Sequence, residues 1–483
     1  MTESPAQPGS RAWHAEFAWL PGAGVLPDVL IEAAGDRFTR VTTGVGSGAV
    51  PAGTTRLAGL TMPGFANAHS HAFHRALRGI THAGSGNFWT WRDRMYQVAA
   101  RLDPDSYLAL ASAVYAEMAL AGITCVGEFH YLHHGAEGIR YGNPNAMSLA
   151  LIEAAARAGV RITLLDTCYL SGGLDVAGWS VALTGPQLRF SDGTAHAWAA
   201  RVGQLGADAH GMLGPAARVG AAIHSVRAVP PTQMRPVVAW THQVGAPLHV
   251  HLSEQAAENE ACLAAYRCTP TALLYDAEAL GPRSTVVHAT HLTGADIRLL
   301  GGTETFACLC PTTEADLADG IGPFADLAAA GCKLTVGSDS QAVIDLFEEA
   351  RRIELYQRLA SCERGHFTGE ALGTAMTWDG HSSLGWPDAG EISPGCLADL
   401  VTVGLDSPRL AGVVAAGCAG RAGSAGPGGE PDFSALDAVI FAATSADVRN
   451  VVVGGRDVVV DGTHLGVEDV SAALAAAVRA VLD

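Results

Sequence analysis

Short apolar runs alternate with longer stretches of helical spacing between residues 59 and 388. The longer stretches are rich in Ala and Leu, and several end at Gly, a common helix stop. This alternation is typical of βαβ units, which build a parallel sheet, and eight units predict a closed (β/α)₈ barrel. The eight candidate strands are 60–69, 123–129, 161–169, 219–225, 247–254, 284–291, 305–311 and 333–339.

Polar side chains cluster where these predicted strands end. In a (β/α)₈ barrel the carboxyl ends of all strands meet at one mouth, so residues distant in sequence come together there. In chain order the polar residues are His69, His71, Glu128, His130, His224, Arg227, His251, Glu254, His288, His291 and Asp339. The pattern therefore predicts an active site at the carboxyl ends of the strands.

The two flanks of the barrel segment have a different pattern. Residues 1–58 and 389–483 contain β-like pieces, and VRNVVVGGRDVVVDG places a Gly-Gly turn between Val-rich runs, which predicts a hairpin. We expect both termini to complete one small β-sandwich domain. The Gly- and Ala-rich stretch 415–433 is interpreted as a surface insertion.

Composition and charge narrow the class of protein. Of the 483 residues, 48% are hydrophobic and 16% charged, which suits a large buried core, and the formal net charge is -18. Such an acidic chain is a poor partner for nucleic acid or an anionic membrane surface. No secretory signal or membrane span is predicted, and ten scattered cysteines without a framework favour a reduced, cytoplasmic setting.

Four of the strand-end residues form a candidate metal centre. His69 and His71 are an H-x-H pair, whose side chains point to the same side of an extended backbone. With His251 and Asp339 they supply three imidazoles and one carboxylate, a set that suits Zn²⁺ and also Fe or Mn. Helix capping is the alternative role for Asp339. His249 forms a second H-x-H with His251, and we interpret it as a hydrogen-bonded core residue.

The chain contains one lysine, Lys333, at the start of the last predicted strand. That end of a barrel is opposite the active-site mouth. A carbamylated lysine bridging two metals is therefore not expected, and we predict one divalent cation per chain.

Two further residues are candidates for the chemistry. Glu254 follows His251 and can move a proton between the attacking water and the leaving group. A capping or surface glutamate is the alternative. His288 can hydrogen-bond a developing tetrahedral centre, whereas a structural role is as plausible for His291.

At this point several motifs show a resemblance. The segments PGFANAHSHAFHRA, FWTWRDRMY, EFHYLHH, HSVRAV, HVHLSEQ, VHATHLT, CPTTEADLADGI and GSDSQ resemble the amidohydrolase superfamily, and within it the formimidoylglutamate deiminase family. AGEISPGCLADLVTV resembles the return of the chain into the superfamily's β-sandwich. The resemblance covers about residues 60–400, and FWTWR, EFHYLHH and CPTTEADLADGI are its most specific parts.

The resemblance implies a reaction and a set of roles. It implies zinc held by His69, His71, His251 and Asp339, Glu254 as proton acceptor, His288 beside the reacting carbon, and assistance from Asp339. The reaction would be hydrolysis of N-formimino-L-glutamate to N-formyl-L-glutamate and ammonia, in histidine degradation, by a homodimer. Substrate contacts are implied for Arg92, Tyr131, His224 and Arg227. Two arginines suit a substrate with two carboxylates, because the guanidinium binds a carboxylate in bidentate fashion.

One position departs from the family pattern. His74 stands where the resemblance leads us to expect Gln, so a different substrate hydrogen bond is expected there. A related deaminase acting on another amidine or on a guanine-, cytosine- or pterin-like heterocycle is the alternative function. A non-catalytic binding or scaffold protein is the alternative from another class, and it predicts the loss of a ligand or of the acid–base residue, which this sequence does not show.

Overall fold

The computed structural model describes residues 10–81, 88–175, 177–212, 214–413 and 435–483. The predicted insertion at 415–433 lies outside these residues. Two eight-stranded sheets account for most of the strands, and one of them is a parallel barrel. The barrel strands are β5 (Phe65–Ser70), β6 (Ile123–His130), β7 (Arg161–Cys168), β10 (Ala217–Ile223), β11 (Leu248–Leu252), β12 (Ser284–His288), β13 (Phe306–Leu309) and β14 (Leu334–Val336).

The second sheet is built from both ends of the chain, as predicted. Its strands are β1 (Ser10–Leu20), β2 (Gly24–Ala34), β3 (Arg37–Thr42), β4 (Thr55–Pro63), β15 (Leu400–Val403), β16 (Val448–Val453), β17 (Arg456–Val460) and β18 (Thr463–His464). They are hydrogen-bonded in the order β18-β17-β16-β15-β4-β1-β2-β3. The predicted hairpin joins β16 to β17, and Gly454 and Gly455 both have positive φ, as a tight turn between twisted strands requires. A short pair, β8 (Gly173–Leu174) and β9 (Ser180–Val181), stands apart.

Helices follow the barrel strands and cover them. Before the last barrel strand they are α1 (Phe88–Arg101), α2 (Pro104–Leu120), α3 (Ala146–Ala158), α4 (Ala195–Met212), α5 (Pro231–Val244), α6 (Ala256–Tyr266), α7 (Pro270–Asp276), α8 (Gly294–Gly302), α9 (Pro311–Asp316) and α10 (Phe324–Ala329). After it come α11 (Leu346–Ser361), α12 (Gly369–Met376), α13 (Trp378–Ser383), α14 (Ala435–Ala442) and α15 (Val470–Leu482). Local signals set their ends: Asp103 caps α2 in a reciprocal pair with Ser106, and Gly159 ends α3 at φ 73°. None of the described helices is both long and apolar enough to cross a membrane.

The run predicted as the first barrel strand, 60–69, is divided in the structure. Residues up to Pro63 belong to β4 of the terminal sheet, and the barrel begins at Phe65. Both halves are buried, so a continuous apolar run did not reveal the change of sheet. The other seven barrel strands start and end within a few residues of their predicted limits.

The barrel closes at the active-site end of its first and last strands. Ser70 and Asp339 form a parallel bridge, His71 N donates to Asp339 O at 3.2 Å, and Asp339 N donates to His69 O at 3.0 Å. Gly337 permits this approach, because a Cβ there would lie 2.7 Å from His69 Cβ. The seam of the barrel therefore joins three of the predicted metal ligands directly.

Candidate active site

The four predicted ligands converge at the carboxyl ends of β5, β11 and β14. His69 Nε2 lies 3.2 Å from both His71 Nε2 and His251 Nε2. Asp339 Oδ1 lies 3.3 Å from His69 Nε2 and 3.4 Å from His71 Nε2. Separations of this size are those between ligands about 2 Å from a common ion.

The chemistry of this set fits a divalent cation. His71 Nδ1 donates to Phe129 O and His251 Nδ1 to His224 O, both at 2.9 Å, so each Nε2 of these neutral rings carries a lone pair. Burial lowers the pKa of His69, His71 and His251, which keeps the imidazoles neutral as metal binding requires. The lone pairs of His71 Nε2 and His251 Nε2 and the carboxylate of Asp339 converge beside His69 Nε2, where a divalent cation would satisfy all of them.

The backbone is left-handed at two of the site residues. His288 has φ 70° and Asp339 has φ 41°, although neither is glycine. Such conformations cost on the order of 1–3 kcal/mol each and concentrate at functional sites. They turn both side chains into the mouth at the points where β12 and β14 end.

The predicted acid–base residue and the predicted electrophile are neighbours of the ligand set. His288 Nε2 lies 3.7 Å from Glu254 Oε1 and 3.8 Å from Asp339 Oδ2, and its Nδ1 lies 3.5 Å from Glu314 Oε1. Burial alone would lower the pKa of His288, but the carboxylates of Glu254, Glu314 and Asp339 outweigh it and raise that pKa to about 10. His288 can therefore donate hydrogen bonds to an oxygen that gains charge.

All five predicted substrate residues line one cavity above the ligands. The cavity measures about 580 Å³ including its open mouth, and His71, His251, Glu254, His288 and Asp339 are among the residues that line it. The predicted substrate residues in its wall are His74, Arg92, Tyr131, His224 and Arg227.

The predicted substrate residues already contact one another and the site. His74 Nε2 lies 3.0 Å from Tyr131 Oη, and burial lowers the pKa of His74 to about 3, so its ring is neutral. Arg227 Nη2 lies 3.3 Å from Glu254 Oε2, and Arg227 Nε lies 2.8 Å from Glu258 Oε2. The carbonyl of His224 orients the His251 ring.

Sequence reasoning missed most of the apolar and phenolic lining. Gln187 donates to Tyr96 Oη at 3.0 Å and to Tyr169 Oη at 3.2 Å, which fixes two hydroxyls at the cavity wall. Most of the missed residues come from α1, from the 3-10 helix Gly185–Phe190 or from the end of α9, which strand-end position does not mark; Tyr169 ends the predicted strand 161–169 and could have been found by that signal. The missed lining residues are Phe88, Trp91, Met95, Tyr96, Tyr169, Phe190 and Leu317.

The remaining singled-out residues lie outside the cavity wall. His249 Nε2 lies 3.1 Å from Ser383 O, and His291 is half-buried. Lys333 is exposed at the amino end of β14, with Nζ 5.5 Å from the Phe306 ring centre. Glu128 is fully buried beside the H-x-H turn.

A second buried group, His130, His133 and Asp166, also has its donor atoms close together. The Asp166 carboxylate already has hydrogen-bond partners inside the protein. Arg201 donates to both of its oxygens, at 2.8 and 2.9 Å, and Trp198 Nε1 donates to it at 3.0 Å. The positive guanidinium beside it opposes a second cation there.

The structure thus combines a parallel (β/α)₈ barrel with His and Asp side chains that converge at its mouth and could hold a metal ion. The model of the amidohydrolase family matches residues 60–458. The chain therefore belongs to the amidohydrolase family, and it is a hydrolase that acts on C–N bonds, of the deaminase type.

Its relatives agree with this assignment. The chain is 36% identical to a formimidoylglutamate deiminase of Pseudomonas aeruginosa over 89% of this chain and 91% of the relative. It is 32% identical to an 8-oxoguanine deaminase of the same organism, over 85% and 84% of the two chains. A crystal structure of an amidohydrolase from Brucella melitensis superposes with a TM-score of 0.85 at 32% identity, covering 98% of this chain and 100% of the other.

Proposed function

We propose that this enzyme hydrolyses N-formimino-L-glutamate to N-formyl-L-glutamate and ammonia. One observation carries the proposal: a single cavity is lined by His71, His251 and Asp339 of the ligand set, by Glu254, and by Arg92 and Arg227. A linear amidine that bears carboxylates matches this arrangement of groups. The 36% identity to a formimidoylglutamate deiminase supports the same substrate.

We propose that His69, His71, His251 and Asp339 hold one Zn²⁺ per chain. When bound, such an ion lowers the pKa of an adjacent water and polarises the bond under attack. The neutral imidazoles and the 3.2–3.4 Å donor separations support this ligand set.

The protein's own groups then move the proton. Glu254 accepts it from the attacking water as the C–O bond forms at the formimino carbon. Asp339 assists, and His288 donates a hydrogen bond to the tetrahedral centre. Glu254 returns this proton to the departing nitrogen, and Asp339 accepts the second proton of the water and passes it to the same nitrogen. The C=O bond forms, the C–N bond breaks and ammonia leaves. The 3.7 Å separation of Glu254 Oε1 and His288 Nε2 supports their acting on the same centre.

Residues of the cavity wall bind the part of the substrate that does not react. Arginine pairs with carboxylate in bidentate fashion, and a local cation must offset a chain with a net charge of -18. Tyr131 and neutral His74 add hydroxyl and imidazole donors near the inner end. We also propose, from the family resemblance, a role in histidine degradation, a homodimer, and a division into a catalytic segment 59–388 flanked by accessory segments 1–58 and 389–483.

A second candidate has an observation of its own. Phe88, Trp91, Tyr169 and Phe190 line the cavity, and aromatic walls suit a flat heterocycle. The 32% identity to an 8-oxoguanine deaminase points the same way. Heterocycle deamination is therefore the alternative function.

Ammonia release by zinc-loaded protein separates the two. The substrates are N-formimino-L-glutamate, a neutral formamidine without carboxylates, and 8-oxoguanine. Two arginine–carboxylate contacts, each on the order of 1.5–3 kcal/mol, should favour the first over the neutral formamidine by at least about 100-fold in kcat/KM. Faster turnover of 8-oxoguanine than of N-formimino-L-glutamate would establish the alternative instead.

A further inference from the structure

Three of the four proposed metal ligands lie at the ends of two strands, β5 and β14, which meet at the seam of the barrel. His69 and His71 belong to the end of β5, and Asp339 follows β14. The described backbone pairing between these segments is one bridge, Ser70 with Asp339, and the hydrogen bonds beside it. Their relative placement therefore depends on side chains as well as on the strand ladder.

A chain of buried side chains crosses this seam twice. Asn67 Nδ2 donates to Ser338 Oγ at 2.6 Å, and Ser338 Oγ donates to Gln341 Oε1 at 2.9 Å. Gln341 Nε2 donates to Ser70 Oγ at 2.9 Å, and Ser70 Oγ donates to Glu128 Oε2 at 2.8 Å. All five side chains are fully buried. Every donor points the same way, and bonds aligned in this manner strengthen one another.

Glu128 on β6 is the acceptor at the end of this chain. Its Oε1 accepts a further hydrogen bond from Ala72 N at 2.7 Å. The carboxylate therefore holds the residue before His71 and the residue after it. Ser70 and Ala72 donate to its two oxygens, and the direction of the Ser70 bond sets the direction of the bonds before it in the chain.

We propose that Glu128 is a positioning residue for the metal centre. Through Ser70 and Gln341 it fixes β5 against the segment after β14, and so sets His69 and His71 relative to Asp339. Glu128 is not among the residues that line the cavity, and its carboxylate accepts from Ser70 and from Ala72 N, the neighbours of His71 in the chain. This inference rests on the metal site of the proposed function.

Two substitutions test it. Glu128→Gln keeps the shape, but its amide would point an N–H at Ser70 Oγ, which already accepts from Gln341, and would leave the Ser70 proton without an acceptor. Ser70→Ala removes one link with little change in volume, and it carries the test if Glu128→Gln does not fold. Outer partners of this kind contribute about 10- to 100-fold in metal affinity. We expect that loss of zinc affinity in both variants, measured on apo-protein by competition with a chromogenic chelator.

A matched control separates positioning from general destabilisation. Glu354 on α11 is also fully buried and accepts from Gly365 N and Phe367 N, both at 2.8 Å. Glu354→Gln should lower the melting temperature and leave zinc affinity unchanged. Combining Glu128→Gln with Ser70→Ala should weaken zinc binding less than the product of the single effects, because both break one chain.

A second readout needs no metal. In the apo-protein, amide hydrogen exchange over residues 65–72 and 337–341 should accelerate in Glu128→Gln and Ser70→Ala, and stay unchanged in Glu354→Gln. Unchanged exchange in both test variants would overturn the positioning role, whatever the zinc result. Tight zinc binding by the wild type with equal affinity in both variants would overturn it as well. If the wild-type protein binds no zinc, the proposed metal site is wrong. If amide exchange is nevertheless faster in the variants, Glu128 and Ser70 still position the ends of β5 and β14.

Discussion

Arg227 contacts Glu254 across the cavity, with the guanidinium Nη2 3.3 Å from the carboxylate Oε2. The proposed carboxylate-binding residue and the proposed proton acceptor are thus paired with each other. Glu258 holds the other edge of the guanidinium at 2.8 Å from Nε. Any change at Arg227 also changes the surroundings of Glu254, so the tests of substrate binding and of proton transfer must be designed to separate the two.

Metal content is the first prediction. Three imidazoles and one carboxylate converge, and the single lysine, Lys333, is exposed at the opposite end of the barrel. We expect one equivalent of zinc per chain by elemental analysis of loaded protein. At free zinc about 1,000 times its Kd, binding should stabilise the fold by about 4 kcal/mol, so chelation should lower the melting temperature. Two tightly held equivalents in one shared site would contradict this ligand assignment.

Proton transfer by Glu254 is the second prediction. Glu254→Gln keeps the shape of the side chain and removes the base. We expect turnover to fall by at least about 10²-fold, with zinc content unchanged because Glu254 is not among the converging donors. Steady-state assays and elemental analysis on the same preparation check both parts. Near-normal turnover would assign the proton shuttle to another group, such as Asp339.

Much of this site could be predicted because barrel chemistry is tied to strand ends. His69, His71, His251 and Asp339 each belong to or follow an apolar run, and the fold places His69 Nε2 3.2–3.3 Å from a donor atom of each of the other three. The rule that active-site residues lie at the carboxyl ends of barrel strands predicted that these four side chains meet. The family resemblance suggested what each of them does.

Other residues of the site and the fold have no sequence pattern that predicts their position. Glu258 lies in the first turn of α6, where a glutamate is ordinarily a solvated residue, yet it is buried against Arg227. Phe190 reaches the cavity from the end of the 3-10 helix Gly185–Phe190, and its position depends on long-range packing. The junction at Gly64 was hidden because both flanking strands are apolar; a Cβ there would lie 2.3 Å from Thr124 Oγ1, which shows how closely the chain turns against β6.

The third prediction concerns the contact between the barrel and the sheet built from the chain ends. Arg161 at the start of β7 pairs with Asp399 of the terminal segment, at 2.9 and 3.2 Å, and Asp399 also accepts from Gly454 N at 2.6 Å. Both side chains are buried, at 3% and 0% exposure. Breaking one side of a buried pair costs about 3–5 kcal/mol, so Asp399→Asn should lower the denaturation midpoint strongly.

An exposed pair provides the control for that experiment. Arg157 and Glu153 form a helix-surface pair at 2.9 Å, with side chains 56% and 55% exposed. Glu153→Gln should cost no more than about 0.5 kcal/mol. If Asp399→Asn and Glu153→Gln unfold at the same denaturant concentration, the buried Arg161–Asp399 pair does not stabilise the contact between the barrel and the terminal sheet.

Arg227 is the residue whose substitution bears most on the substrate. Arg227→Met keeps the apolar part of the side chain and removes the guanidinium. An arginine–carboxylate contact that is partly shielded from water contributes on the order of 1.5–3 kcal/mol to binding. On N-formimino-L-glutamate, kcat/KM should fall about 10- to 200-fold, since about 1.4 kcal/mol is a factor of ten. A neutral formamidine has no carboxylate to lose, so its kcat/KM should fall far less.

Glu258→Gln removes a partner of the guanidinium but leaves the guanidinium itself, so it shows how much of the loss comes from disturbing the ion pairs of Arg227 with Glu254 and Glu258. Equal losses on both substrates in Arg227→Met, matched by Glu258→Gln, would mean that Arg227 braces the mouth and does not bind the substrate carboxylate. No loss on either substrate would place the carboxylates elsewhere, and 8-oxoguanine-like heterocycles would then become the better substrate class for a cavity walled by Trp91, Tyr169 and Phe190.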